Sequence, residues 1–211
     1  MKKAFSLLLL MGLVLSASAQ HKRHRGHDNG FDFSLNGALN MCQIDGDQSG
    51  NYNKLGYRFG VNTSFPLGEG GFRMLVEIGV SEKGSLVSRR NASYSALYIE
   101  VPLLLAYDVG VGGSGALRVG AGVASASLGK ATVVEAGVRN QVQENNFRSL
   151  DALPLCLEAQ YRFNDHFGIE ARYYNSLLPV TKEASSGTYS LFRSNQGVFH
   201  RLISVGASYR F

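Results

Sequence analysis

Apolar and polar residues alternate with a period of two along most of the chain after residue 30. The pattern is clearest in the last thirteen residues. Phe199, Arg201, Ile203, Val205, Ala207, Tyr209 and Phe211 fall on one parity, and His200, Leu202, Ser204, Gly206, Ser208 and Arg210 on the other. Successive side chains of a strand point to opposite faces, so this stretch reads as a strand with one apolar face that runs to the final residue. The same pattern predicts seven earlier strands: Phe31 to Cys42, Leu55 to Phe65, Phe72 to Ser81, Leu97 to Tyr107, Leu117 to about Leu128, Leu153 to Phe163, and Phe167 to about Leu177.

The connections set the expected topology. Pro66 to Gly71, Asp108 to Ala116 and Asn164 to His166 are short and rich in turn residues. Gln43 to Lys54, Glu82 to Ala96, Gly129 to Ala152 and Leu178 to Val198 are long. Short and long alternate strictly. The expected fold is therefore all-β: an eight-stranded antiparallel up-and-down transmembrane β-barrel with short periplasmic turns and long external loops. Such a barrel ends on a strand because the last strand must close against the first.

The two faces carry different chemistry. On the apolar parity, Phe31, Phe33, Phe65, Phe72, Tyr107, Phe163, Phe167, Tyr209 and Phe211 gather near the short turns and the terminus. They predict a periplasmic aromatic girdle at the membrane interface. A soluble lipocalin-like barrel would bury the apolar parity instead, with no need to sort its aromatics by end. The polar parity carries Asp32, Arg58, Arg73, Glu77, Glu100, Arg118, Glu158, Arg162, Glu170, Arg172 and Arg210. An Arg on the lipid face at mid-membrane costs roughly 2–4 kcal/mol, so these residues are expected in the lumen as a paired charge network. Eight strands leave an interior just filled by side chains, which predicts a plugged core and no wide pore.

Composition changes little. The chain has 25 Gly, 4 Pro and no Trp among 211 residues. After the N-terminus no stretch approaches the roughly 20 apolar residues of a spanning helix. The net charge of +5 sits partly in a basic segment, so no nucleic-acid partner is expected. Met1 to Ala19 reads as a secretory signal: Lys2 and Lys3, an apolar run from Leu7 to Leu15, and a small-x-small site that predicts cleavage after Ala19. Residues 20–30 then form a basic, His-rich periplasmic segment that includes His21 to His27, and residues 31–211 form the barrel. The HKRHRGH stretch lacks the spacing of a zinc site and reads as a solvated tail. Cys42 and Cys156 meet an oxidising compartment. Both face inward on strands that are not neighbours, which leaves a disulfide and two small buried thiols open, the thiols fitting better.

Candidate catalysis is thin. His200 and Ser204 share the inward face near the outer rim, whereas a lipid-cutting site should face the outer leaflet, and His166 sits in a periplasmic turn. The run from Gly110 to Gly115 joins two strands and opens no helix, so it is no phosphate loop. No catalytic, cofactor-binding or metal residues are expected. Pro102 interrupts the fourth strand and suggests a bulge or local opening.

The segment Tyr98-Ile99-Glu100-Val101-Pro102-Leu103-Leu104-Leu105-Ala106-Tyr107 resembles the "YLEIPLLLKY" strand of PorT-like outer-membrane β-barrel proteins. Leu55 to Val61, Glu77-Ile78-Gly79 to Lys83-Gly84, and Phe199 to Phe211 also fit that family. The resemblance implies an eight-stranded outer-membrane barrel from a Bacteroidota-type bacterium, with a link to protein secretion for the founding member, and it brings no catalytic set. It also implies that Pro102 is structural. The expected partners are outer-membrane lipid and other envelope or secretion proteins. The leading expectation is a structural or interaction scaffold. A narrow channel and a lipid-modifying enzyme are the alternatives.

Overall fold

Alternation builds strands, and strands whose outer face is apolar and inner face polar close into a ring. The computed structural model describes residues 30–45, 52–68, 70–87, 91–110, 116–135, 138–141, 150–180 and 199–211. The signal, its cleavage site after Ala19, the His21–His27 tract and most of the Gly110–Gly115 run lie outside the described residues, as do large parts of the long connections.

Nine strands form among the described residues: β1 (Asp32–Asp45), β2 (Lys54–Pro66), β3 (Phe72–Val87), β4 (Ala92–Gly110), β5 (Ala116–Glu135), β6 (Val138–Gln141), β7 (Leu150–Arg162), β8 (Phe167–Asn175) and β9 (Phe199–Arg210). Eight of them close antiparallel in the order β1–β2–β3–β4–β5–β7–β8–β9, with β9 pairing back onto β1. The terminal strand therefore does close the ring. The short strand β6 hangs on the far end of β5 and, among the described residues, pairs with β5 alone. It lies in a connection expected to be loop.

The pairing registers fix the geometry. A walk along hydrogen-bonded neighbours from Gln43 passes Arg201, Asn175, Leu155, Val123, Leu103, Val76 and Thr63, and returns to β1 at Phe33, ten residues from its start. Eight strands with that stagger tilt by about 41° to the barrel axis, so each residue climbs about 2.5 Å. Crossing a ~25 Å apolar band then takes about ten residues.

β4 and β5 are 19 and 20 residues long, twice that requirement. The expected strands stopped at Ser81, began at Leu97 and stopped near Leu128. In the structure β3, β4 and β5 run on to Val87, from Ala92 and to Glu135, five to seven residues further, and they form a sheet that projects about 12–18 Å past those expected ends at the long-loop end. The Glu82–Ala96 connection is mostly ladder, paired from Glu82↔Leu97 to Val87↔Ala92.

Irregularities sit at definable places. Pro102 was expected at a bulge. The β3–β4 register is instead the same on both sides, with ladder pairs missing only between Val76↔Leu103 and Gly79↔Glu100. A proline lacks the N–H but needs no inserted residue. The true register shifts fall at Leu97/Tyr98 opposite Gly129, and at Val123/Ser125 opposite Leu153 and Pro154. Close approach demands glycine at Gly206, where an added Cβ would stand 2.2 Å from the Gly37 carbonyl oxygen across the closing seam.

Candidate functional site

The outward face is apolar and exposed from end to end of the barrel wall. Leu35, Leu39, Phe59, Leu103, Leu105, Ile169 and Val205 all stand open, Leu39 at 64%. The expected girdle residues lie at the short-turn end and touch one another. Ring centroids are 5.8 Å apart for Phe31 and Phe65, 5.5 Å for Phe33 and Phe211, and 5.0 Å for Phe72 and Tyr107. Tyr209 packs against Phe167 at 5.1 Å and Phe211 at 5.2 Å, and Phe163 meets Tyr161 edge-on at 5.4 Å.

The inward face carries three groups of charge. At the short-turn end, Asp32 accepts from Arg73 at 3.1 Å, Arg118 at 3.4 Å and Arg210 at 3.1 Å. Asp108 takes two further bonds from Arg118, at 2.5 and 3.1 Å. Arg73 also donates to Ser64 Oγ and to the Gly30 carbonyl. Asp32, Arg162 and Arg210 are half-buried, and Arg73 and Arg118 are buried.

The middle group is wholly buried. Arg172 grips Glu77 with both terminal nitrogens, at 3.2 and 2.8 Å, and also bonds Glu158. Arg58 joins Glu77 at 2.9 Å to Glu170 on the opposite wall. Asn36 donates to Glu77 at 2.7 Å. Five side chains from β2, β3, β7 and β8 thus tie the walls together across the axis. Charge-assisted bonds with planar, two-pronged geometry are the arrangement that makes a buried pair tolerable.

The third group, toward the long-loop end, contains Glu100 and two residues that had been assigned to loops. Lys83 is fully buried and pairs with Glu100 at 2.6 Å and Asp151 at 3.8 Å. Its ammonium lies 3.4 Å from the Tyr174 ring centroid and 4.9 Å from that of Tyr98, inside cation–π range. Asp151 accepts from Tyr174 at 3.1 Å and Ser176 at 2.7 Å. Above this group Ile44, Ala92, Tyr94, Ala96, Val133 and Val180 pack into an apolar cap.

His200 and Ser204 are not joined. His200 Nε2 lies 3.2 Å from the Tyr98 hydroxyl, while Ser204 donates to Asn40. His166 lies by the Arg210 carbonyl at 2.9 Å in the β7–β8 turn. Cys42 and Cys156 are free, buried thiols, so the disulfide reading is not what the structure holds. No group of three or more His, Cys, Asp or Glu able to hold a metal occurs among the described residues.

Comparison with known proteins follows the same lines. Among solved structures, the chain is similar to the attachment invasion locus protein Ail of Yersinia pestis, at 16% identity over 86% of this chain and 97% of that one, with a TM-score of 0.47. It is similar to Neisserial surface protein A at 13% identity, with the same coverages and a TM-score of 0.48. It is similar to the N-terminal β-barrel domain of Pseudomonas aeruginosa OprF at 12% identity, over 85% of this chain and 97% of that one, with a TM-score of 0.39. No curated protein matches the chain in sequence. The family model for the outer membrane protein beta-barrel domain matches residues 18–182, so the chain belongs to that family and is an outer-membrane β-barrel protein.

Proposed function

We propose that this protein is a plugged outer-membrane scaffold, accessory to protein secretion or envelope assembly, and a PorT-like member of its family. In this reading residues 1–19 are an export signal cleaved after Ala19, residues 20–30 are a basic periplasmic segment, and residues 31–211 form the barrel. The charged residues of the polar parity hold the walls together, and the nine aromatics at the short-turn end seat the barrel at the periplasmic interface. Partners bind the projecting part of β3, β4 and β5 or the external loops.

The observation that carries this reading is the bridged lumen: ion pairs join opposite walls, and an apolar cap lies over them. A barrel built this way has its interior committed to stability, which leaves the projecting sheet and rims to act. Photo-crosslinkers at Ser93 and Ser95 in living cells test it. The reading predicts discrete adducts with an envelope protein there and none from Leu103 on the lipid face. Equal or absent labelling at both places overturns it.

One observation favours a narrow path as second reading. Arg58 Nε, Glu158 Oε1, Glu170 Oε2 and His200 Nδ1 are buried and have no hydrogen-bond partner among the described residues. Such atoms are commonly satisfied by internal water, and water in the lumen is what a channel needs. Ion flux through the wild-type protein decides between the two.

A further inference from the structure

Just past the apolar band on β1, β9 and β8, the outward positions change from Met41, Ile203 and Tyr173 to Gln43, Arg201 and Asn175. These three are direct register neighbours, Gln43↔Arg201↔Asn175. Arg201 is 44% exposed yet held in place: it pairs with Asp45 at 2.9 Å and its Nε donates to Asn175 Oδ1 at 3.0 Å. Gln43 in turn donates to Asp45 at 3.0 Å. Tyr52, 40% exposed, stands two residues before Lys54, which pairs with Cys42, and so lies at the same rim as Gln43 and Asp45. The patch therefore joins two tyrosines to a guanidinium, a carboxylate and two amides on one rim.

Its charge balance says what it suits. Arg201 and Asp45 cancel, so a bare phosphate gains little from the patch. The groups offer both donors and acceptors, which a ring of sugar hydroxyls can use, and tyrosine faces take the apolar side of such a ring. Three strands span about 10 Å, room for one or two sugar rings. The side chains already orient one another, so little ordering cost remains on binding.

We propose that Tyr52, Tyr173 and the Gln43–Asp45–Arg201–Asn175 row form a binding site for the saccharide headgroup of an outer-leaflet glycolipid. The location selects this source of sugar, because the row begins where the lipid-facing residues stop. The inference rests on the reading that the long-loop end faces outward, and it is independent of the scaffold role.

The test uses the full mature chain folded in detergent. Native mass spectrometry counts bound core-bearing lipooligosaccharide, lipid A stripped of its core sugars, and phosphatidylglycerol. The expected result is tighter binding of the core-bearing glycolipid than of lipid A. Arg201→Ala and Tyr52→Ala should each weaken that binding about tenfold to a hundredfold, as for a lost charge-assisted bond or stacking face, and leave lipid A unchanged. Both residues are exposed, and the heat-modifiable gel band confirms that the variants are folded. Equal binding of core-bearing glycolipid and lipid A by the wild type, or full preference retained in both variants, overturns the proposal. Binding of no lipid at all, by a protein that stays soluble without detergent, would overturn the membrane orientation as well, and so is a distinguishable failure.

Discussion

Arg172→Met tests how dry the lumen is. In the folded barrel Arg172 is buried, bonds Glu77 through two nitrogens and, among the described residues, is the one charge partner of Glu158. Glu77 would keep Arg58 and Asn36 after the substitution, whereas Glu158 would lose that partner. Breaking a buried pair and leaving one charge uncompensated costs about 3–5 kcal/mol, a shift of roughly a hundred- to several-thousand-fold in the folded fraction. The exposed Arg201–Asp45 pair serves as control, worth at most about 1 kcal/mol. Urea unfolding in phospholipid vesicles measures both. The chain has no Trp, so tyrosine emission or the gel band shift reports the transition. Removing the stranded charge in Arg172→Met/Glu158→Gln should restore a large part of the loss. A loss below about 1 kcal/mol with no recovery in the double variant would refute the reasoning, because it would mean that water screens the middle group.

Further expectations bear on the wall and the seam. Leu39→Arg puts a cation on the exposed apolar face and should cost about 2–4 kcal/mol in vesicles, measured by the same urea titration. No loss in vesicles would argue against a lipid-facing wall. Gly206→Ala forces a Cβ against the β1 backbone and should destabilise by about 1–3 kcal/mol while slowing the appearance of the folded gel band. Tyr209→Ala removes ring contacts with His166, Phe167 and Phe211 at the short-turn end and should cost about 1–3 kcal/mol, with Tyr209→Phe costing much less.

How much of this was legible in the residues depends on where the solvent changes. Inside the band, lipid is outside and charge inside, and the alternation of Leu35, Leu39 and Val205 against Asn36, Asn40 and Ser204 reads without ambiguity. Beyond it the solvent outside is water, so the polarity of the alternation inverts. Ser93 and Ser95 turn outward on β4 while Tyr94, Ala96 and Tyr98 turn inward into the cap. A search for outward apolar residues ends at Leu97 although the ladder runs on to Ala92. Asp151 was hidden for a second reason. The register shift opposite Leu153 and Pro154 exchanges the faces of β7, and parity counted from Leu155 would turn Asp151 outward, whereas it is buried. Lys83 lies in the Glu82–Ala96 stretch, past the expected end of β3 at Ser81, where the ladder in fact continues. The proposed rim row was out of reach because Gln43 and Asp45 meet Arg201 only through closure of β9 onto β1.

The barrel is closed, and charge pairs bridge its lumen. Planar-bilayer recording of the purified wild-type protein, on a sample whose unheated gel band migrates apart from the heated one, shows whether ions pass. A heat-modifiable band and no unitary current are expected. Stable unitary currents from the same folded sample would contradict that expectation, and would make the inward Arg and Glu residues the lining of a path.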